Sequence, residues 1–70
     1  MLTYAQYQSI KVEDQLTATI VLDRYGKPNS VHEENGRVRR LIYRCEDLSG
    51  KFGNLELIFD ERERLREKRL

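Results

Sequence analysis

Seventy residues make one domain at most, and a chain of about 60 residues buries only about 60% of its unfolded surface, so stability is marginal without added support. One cysteine excludes an internal disulfide, and one cysteine with one histidine falls short of the four ligands of structural zinc. Charged residues make up 36% of the chain, yet the formal net charge is only +1, so there is no global excess of Lys and Arg of the kind that phosphate-binding proteins carry.

No apolar run approaches the roughly 20 residues needed to cross a bilayer, and the start "MLTYAQYQSI" lacks the basic and apolar regions of a signal peptide. With a lone cysteine, this points to a reducing, cytoplasmic setting and no membrane partner.

In chain order, Thr3 and Gln6 have capping-box spacing, with Leu2 and Tyr7 spaced as a hydrophobic staple. That predicts a short helix over 4–9; an extended segment is the alternative, because Leu2, Tyr4, Ile10 and Val12 fall on one parity. From Leu16, the residues Leu16, Ala18, Ile20 and Leu22 alternate with Thr17, Thr19, Val21 and Asp23, which predicts a strand over 15–23. "DRYGK" then reads as a turn, and Pro28 starts a second strand over 28–34 at an edge or a bulge.

Asn35-Gly36 is a two-residue hairpin signal, since both residues tolerate the positive φ of a type I′ turn. A regular ladder beyond it would put Arg40 on the side of Val31 and Val38. One extra residue at Arg39-Arg40 repairs the pattern, so a β-bulge is expected there; a strand buried on both sides, without a bulge, is the rival. The third strand spans 37–46. "DLSGK" repeats the Asp-x-x-Gly-Lys pattern of 23–27, and a three-residue loop, Leu48-Ser49-Gly50, would pair Tyr43 with Leu55 and Leu41 with Leu57. The fourth strand covers 53–59. Asp60 and Glu63 then have capping spacing, with acids early and bases late, which predicts a charged helix over 60–70 that is semi-independent of the sheet.

The fold expected is therefore mainly β, a β-rich α+β domain: a four-stranded antiparallel meander or small curled barrel, with a short N-terminal element and a charged C-terminal helix. Its inner face collects Leu16, Ala18, Ile20, Leu22, Val31, Val38, Leu41, Tyr43, Cys45, Leu55, Leu57 and Phe59. Leu2, Tyr4, Tyr7, Ile10, Val12, Leu65 and Leu70 could cover it, or else a second copy of the chain must.

The opposite face carries Val21, Ile42 and Ile58 among Arg40 and Arg44. With Leu65 these are the candidate interface residues, and they favour a homodimer. A basic cluster of Arg37, Arg39, Arg40 and Arg44, joined by Arg24, Lys27 and Lys51 at the turns beside Tyr25 and Phe52, is the candidate nucleic-acid surface. Cross-strand ion pairs with Glu34 and Glu56 would account for several of these arginines. Cys45 and His32 fall on opposite faces, so no Cys–His pair forms. No catalytic residue, metal site or cofactor is expected. The function that fits is a small non-catalytic interaction module, self-associating and acting as an accessory or regulatory protein. A nucleic-acid-binding β domain is the alternative, and an enzyme is disfavoured.

Overall fold

The structure is a computed structural model that describes all 70 residues, 1–70. It is a mainly β fold: four antiparallel strands form one open sheet, with two short helices on one side. Helix α1 (Tyr4–Ser9) and a 3-10 turn (Val12–Asp14) lead into helix α2 (Ala18–Tyr25). Strands β1 (Ser30–Glu34), β2 (Arg37–Glu46), β3 (Phe52–Phe59) and β4 (Leu65–Arg69) follow and pair in chain order.

The capping box of α1 is present. Thr3 Oγ1 accepts from the Gln6 N–H at 3.1 Å, and Gln6 Oε1 accepts from the Thr3 N–H at 2.9 Å. These bonds satisfy helix donors that would otherwise be orphaned.

The segment expected as a first strand over 15–23 is helix α2. Its residues fit two periods at once. Leu16, Ala18, Ile20 and Leu22 alternate, but Ala18, Val21, Leu22 and Tyr25 recur at helical spacing. Two local signals favour the helix. Thr17 Oγ1 accepts from the Ile20 N–H at 3.2 Å as an N-cap. Gly26 takes φ +80° just past the last turn, where its N–H donates to the Leu22 carbonyl. The stretch "DRYGK" is thus a helix terminus and not a hairpin turn, and Ile20 points to solvent while Val21 is fully buried.

Both hairpins match their sequence signals. Asn35 and Gly36 have φ +53° and +76°, as a type I′ turn requires. In the second hairpin Asp47 accepts from the N–H groups of Ser49 and Lys51 and from the Ser49 hydroxyl, and Tyr43 pairs with Leu55 and Leu41 with Leu57. The bulge is also present. His32 pairs with Arg40 and Glu33 with Val38, so Arg39 is the extra residue, and Val31 faces Leu41.

The charged helix expected over 60–70 is a turn followed by an edge strand. Asp60 accepts from the N–H groups of Arg62 and Arg64, and Glu63 sits in the left-handed region at φ +60°. Strand β4 then pairs with β3, Ile58 opposite Glu67 and Phe59 opposite Leu65. A ten-residue helix with Leu65 and Leu70 as its only apolar residues has too little to bury to hold itself on a core. As a strand, the same residues gain a ladder of backbone hydrogen bonds, and an edge tolerates charge. The turn also anchors α2, since the Ala18 N–H donates to the Glu63 carbonyl and the Leu65 N–H to the Leu16 carbonyl.

All the buried residues are apolar: Leu2, Ile10, Leu16, Ala18, Val21, Leu41, Tyr43, Cys45, Leu55, Leu57, Phe59 and Leu65. Tyr7, Val12, Leu22, Tyr25 and Val38 pack against them. The inner sheet face is therefore covered from within the chain. Beyond the end of β1, Leu2 takes over as neighbour of β2: its N–H donates to the Arg44 carbonyl, and its carbonyl accepts from the Glu46 N–H. Lys68 spans the other side, donating to the Tyr7 carbonyl at 2.9 Å with its ammonium 4.1 Å from the centre of the Tyr7 ring.

Tyr43 is the one core side chain with a polar end, and its hydroxyl donates to the Gly26 carbonyl at 2.7 Å. Tyr43→Phe removes that donor, and an expected loss of about 1 kcal/mol is measurable by urea denaturation. The turns contribute to the acid dependence of stability. Hydrogen bonds from Ser49 hold the Asp47 carboxyl below its ordinary value, and the Arg64 N–H does the same for Asp60. Stability from these groups is complete above the unfolded carboxylate pKa of about 3.9 and falls as pH drops through the lowered folded values. Asp60→Asn, which keeps an acceptor, should flatten the acid limb of a thermal melt against pH. Asp60→Ala should lower the melting temperature at neutral pH as well.

Candidate interaction face

Strand alternation divides the side chains of the sheet. On β2, Leu41, Tyr43 and Cys45 point into the core, leaving Arg40, Ile42, Arg44 and Glu46 on the other side. On β3, Leu55, Leu57 and Phe59 point inward, leaving Phe52, Asn54, Glu56 and Ile58 outside. The register places Arg40 beside Ile58, Ile42 beside Glu56, Arg44 beside Asn54 and Glu46 beside Phe52. Ser30 and His32 extend this face across β1, and Glu67 and Arg69 across β4. Both helices and the N-terminal segment contribute to the core on the inner side, and no element of the chain covers the outer one.

Of the expected interface residues, Ile42, Ile58, Arg40 and Arg44 share this outer face. Val21 and Leu65 do not. Val21 lies in the core on α2, at 0% exposure, and Leu65 is buried beside Phe59 at 3%. An outward Val21 requires a strand parity that the helix does not have. Leu65 is held inward by its pairing in β4. Ile42 and Ile58 are half-buried by their neighbours, and Phe52 is 51% exposed at one end of the same face. Phe52 therefore belongs to the outer face and not to the basic turn cluster. Its even-numbered parity with Ile58 on β3 was the signal.

The basic cluster is dispersed, and three of its seven residues are engaged within the chain. Arg37 donates to the Glu61 carbonyl at 2.6 Å, and Arg39 Nε donates to the Phe59 carbonyl at 3.2 Å. Arg40 pairs with Glu56 at 3.2 Å. The Glu34 carboxylate lies near Arg39, at 3.5 Å, and not on Arg37, its ladder partner. Glu56 takes Arg40, which leaves Arg44 without an ion-pair partner. Arg24 is in the last turn of α2 and Lys27 in the connector after it, while Lys51 sits alone in the β2–β3 hairpin. The reason for grouping them, two equivalent hairpin turns, disappears with the first strand. On the outer face Arg44 and Glu46 are the two charged side chains without an ion-pair partner.

Cys45 is fully buried beneath β2, while His32 is exposed on the edge strand β1. Burial raises the Cys45 thiol pKa, and the nearby Glu46 and Asp47 carboxylates raise it further. A thiol in that state is protonated and unreactive at neutral pH. Native protein treated with iodoacetamide at pH 7.5 should stay unmodified at Cys45 by intact mass, and the same protein in 6–8 M urea should take up one label; rapid native labelling would contradict the burial.

No protein-family model matches the chain, and no curated protein and no solved structure matches it either.

Proposed function

We propose that the protein is a small non-catalytic interaction module, an accessory or regulatory protein of the cytoplasm, that associates with a second copy of itself through the outer face of its sheet. The observation that carries this reading is the bare outer face. It sets Ile42, Ile58 and Phe52 among Arg40, Arg44, Arg69, Glu46, Glu56 and Glu67. A sheet normally keeps apolar residues off its solvated side. Aromatic, aliphatic and arginine side chains together are the composition enriched at protein interfaces.

The charge pattern favours a like surface over a polyanion. Three arginines and three glutamates alternate across the face, so a copy rotated by a two-fold axis meets opposite charges. In particular, Arg44 and Glu46 lack partners within the chain and stand two residues apart on β2, a spacing at which each can meet the other's counterpart across a dimer. An interface of standard size takes about 800 Å² per partner, roughly one sixth of the 4742 Å² surface of this chain. Nucleic acid fits less well: the phosphate backbone would meet Glu46, Glu56 and Glu67 as well as the arginines.

Size exclusion with light scattering at micromolar to 100 µM protein should give a concentration-dependent dimer. Ile42→Asp should shift it to monomer while destabilising the monomer by no more than about 1 kcal/mol, since the side chain is on the solvent side. Arg44→Glu should weaken the dimer, and adding Glu46→Arg should restore it. A monomer at every concentration would sink the proposal. Binding to a random oligonucleotide at low salt, lost steeply as salt rises, would instead favour the nucleic-acid alternative.

A further inference from the structure

The bulge in β2 has a second effect. An inserted residue sends two successive side chains away from the core, and here both are arginines. His32, Glu34, Arg39, Arg40, Ile58 and Phe59 line an open depression of about 220 Å³ at this point. Ile58 forms its apolar part, and Phe59, whose side chain points into the core, borders it through its backbone. Arg39 is fixed by the bond from its Nε to the Phe59 carbonyl, which leaves its terminal nitrogens free to donate. Arg40 uses one terminal nitrogen on Glu56. A guanidinium held in this way is pre-organised for a carboxylate, which it binds through paired N–H donors.

The depression already holds a carboxylate. Glu34 lies 3.5 Å from Arg39 and 3.4 Å from His32 Nε2. Both contacts are long, and Glu34 is half-exposed at the end of an edge strand, next to the hairpin turn. Exposed ion pairs of this quality contribute little, so the side chain can leave for solvent at small cost. We propose that the depression is a binding site for a carboxylate-bearing ligand, held by Arg39 and Arg40, which takes the place of Glu34. The site is complete in a single chain, and it shares Arg40 and Ile58 with the outer face, so ligand binding and self-association compete for these residues.

Titration of ¹⁵N-labelled protein tests it, with succinate as a free dicarboxylate, a terminally blocked Glu-containing tetrapeptide as an acidic side chain, and inorganic phosphate as the competing anion. Saturable shifts concentrated at His32, Arg39 and Arg40, including the arginine Nε–H signals, are expected for a carboxylate probe. Glu34→Gln removes the internal competitor and should tighten binding by about three-fold, the scale of a weak surface ion pair. Arg40→Gln, whose side chain is on the surface, should weaken it while leaving the rest of the spectrum in place. A tighter peptide assigns the site to acidic side chains, and tighter succinate assigns it to small acids. Three results would overturn the proposal: phosphate binding tighter than either carboxylate, shifts spread equally to Arg24, Arg44 and Arg62, or weaker binding in Glu34→Gln.

Discussion

Six side chains on the inner face of β2 and β3, Leu41, Tyr43, Cys45, Leu55, Leu57 and Phe59, are almost completely shielded from water. Fully burying a large apolar side chain stabilises by on the order of 1.5–3 kcal/mol, so this face carries much of what holds so short a chain together. The sheet cannot shield it alone, and residues 1–25 supply the cover. Leu2, Ile10, Leu16, Ala18 and Val21 reach it from four separate local structures: a strand-like end, the exit of α1, the lead-in to α2, and α2 itself. Each is fixed by a cap or a backbone bond to the sheet or to the loop before β4. With its inner face closed in this way, the sheet has its outer face as the broad surface left for contact.

The hairpins, the α1 cap and the bulge were legible because their causes are local. A type I′ turn needs two residues that accept positive φ, and Asn35-Gly36 states this outright. The bulge followed from parity alone, since Arg40 has no place among Val31, Val38 and Leu41. The helix α2 and strand β4 were each read as the other type, and for related reasons. Residues 16–25 satisfy two periods, and β-branched Thr, Ile and Val tilted the reading toward a strand. The caps at Thr17 and Gly26 were the better guide. Residues 60–70 are rich in helix formers with favourable i,i+3 charges, but these are worth a few tenths of a kcal/mol each. Completing the exposed edge of β3 outweighs them.

The same logic explains how much of the outer face could be read. Ile42, Ile58, Arg40 and Arg44 depend only on alternation within β2 and β3, which the hairpins fixed. Val21 and Leu65 depended on the two misassigned elements and moved inward with them. Arginine chemistry was harder to read from the chain, because the partners of Arg37 and Arg39 are backbone carbonyls of Glu61 and Phe59, and the position of a distant carbonyl leaves no mark in side-chain pattern.

The contact between Lys68 and Tyr7 joins residues 61 positions apart in a chain of 70. Leu2 likewise reaches β2 across more than 40 residues. Such contacts close the largest loops the chain can make, and loop closure must come before any contact repays it. The hairpins are local and can form early, but on their own they leave one apolar face open to water. Cover arrives only when residues 1–25 fold back over a sheet built from residues 30–69. Folding should therefore be slower than the size alone implies.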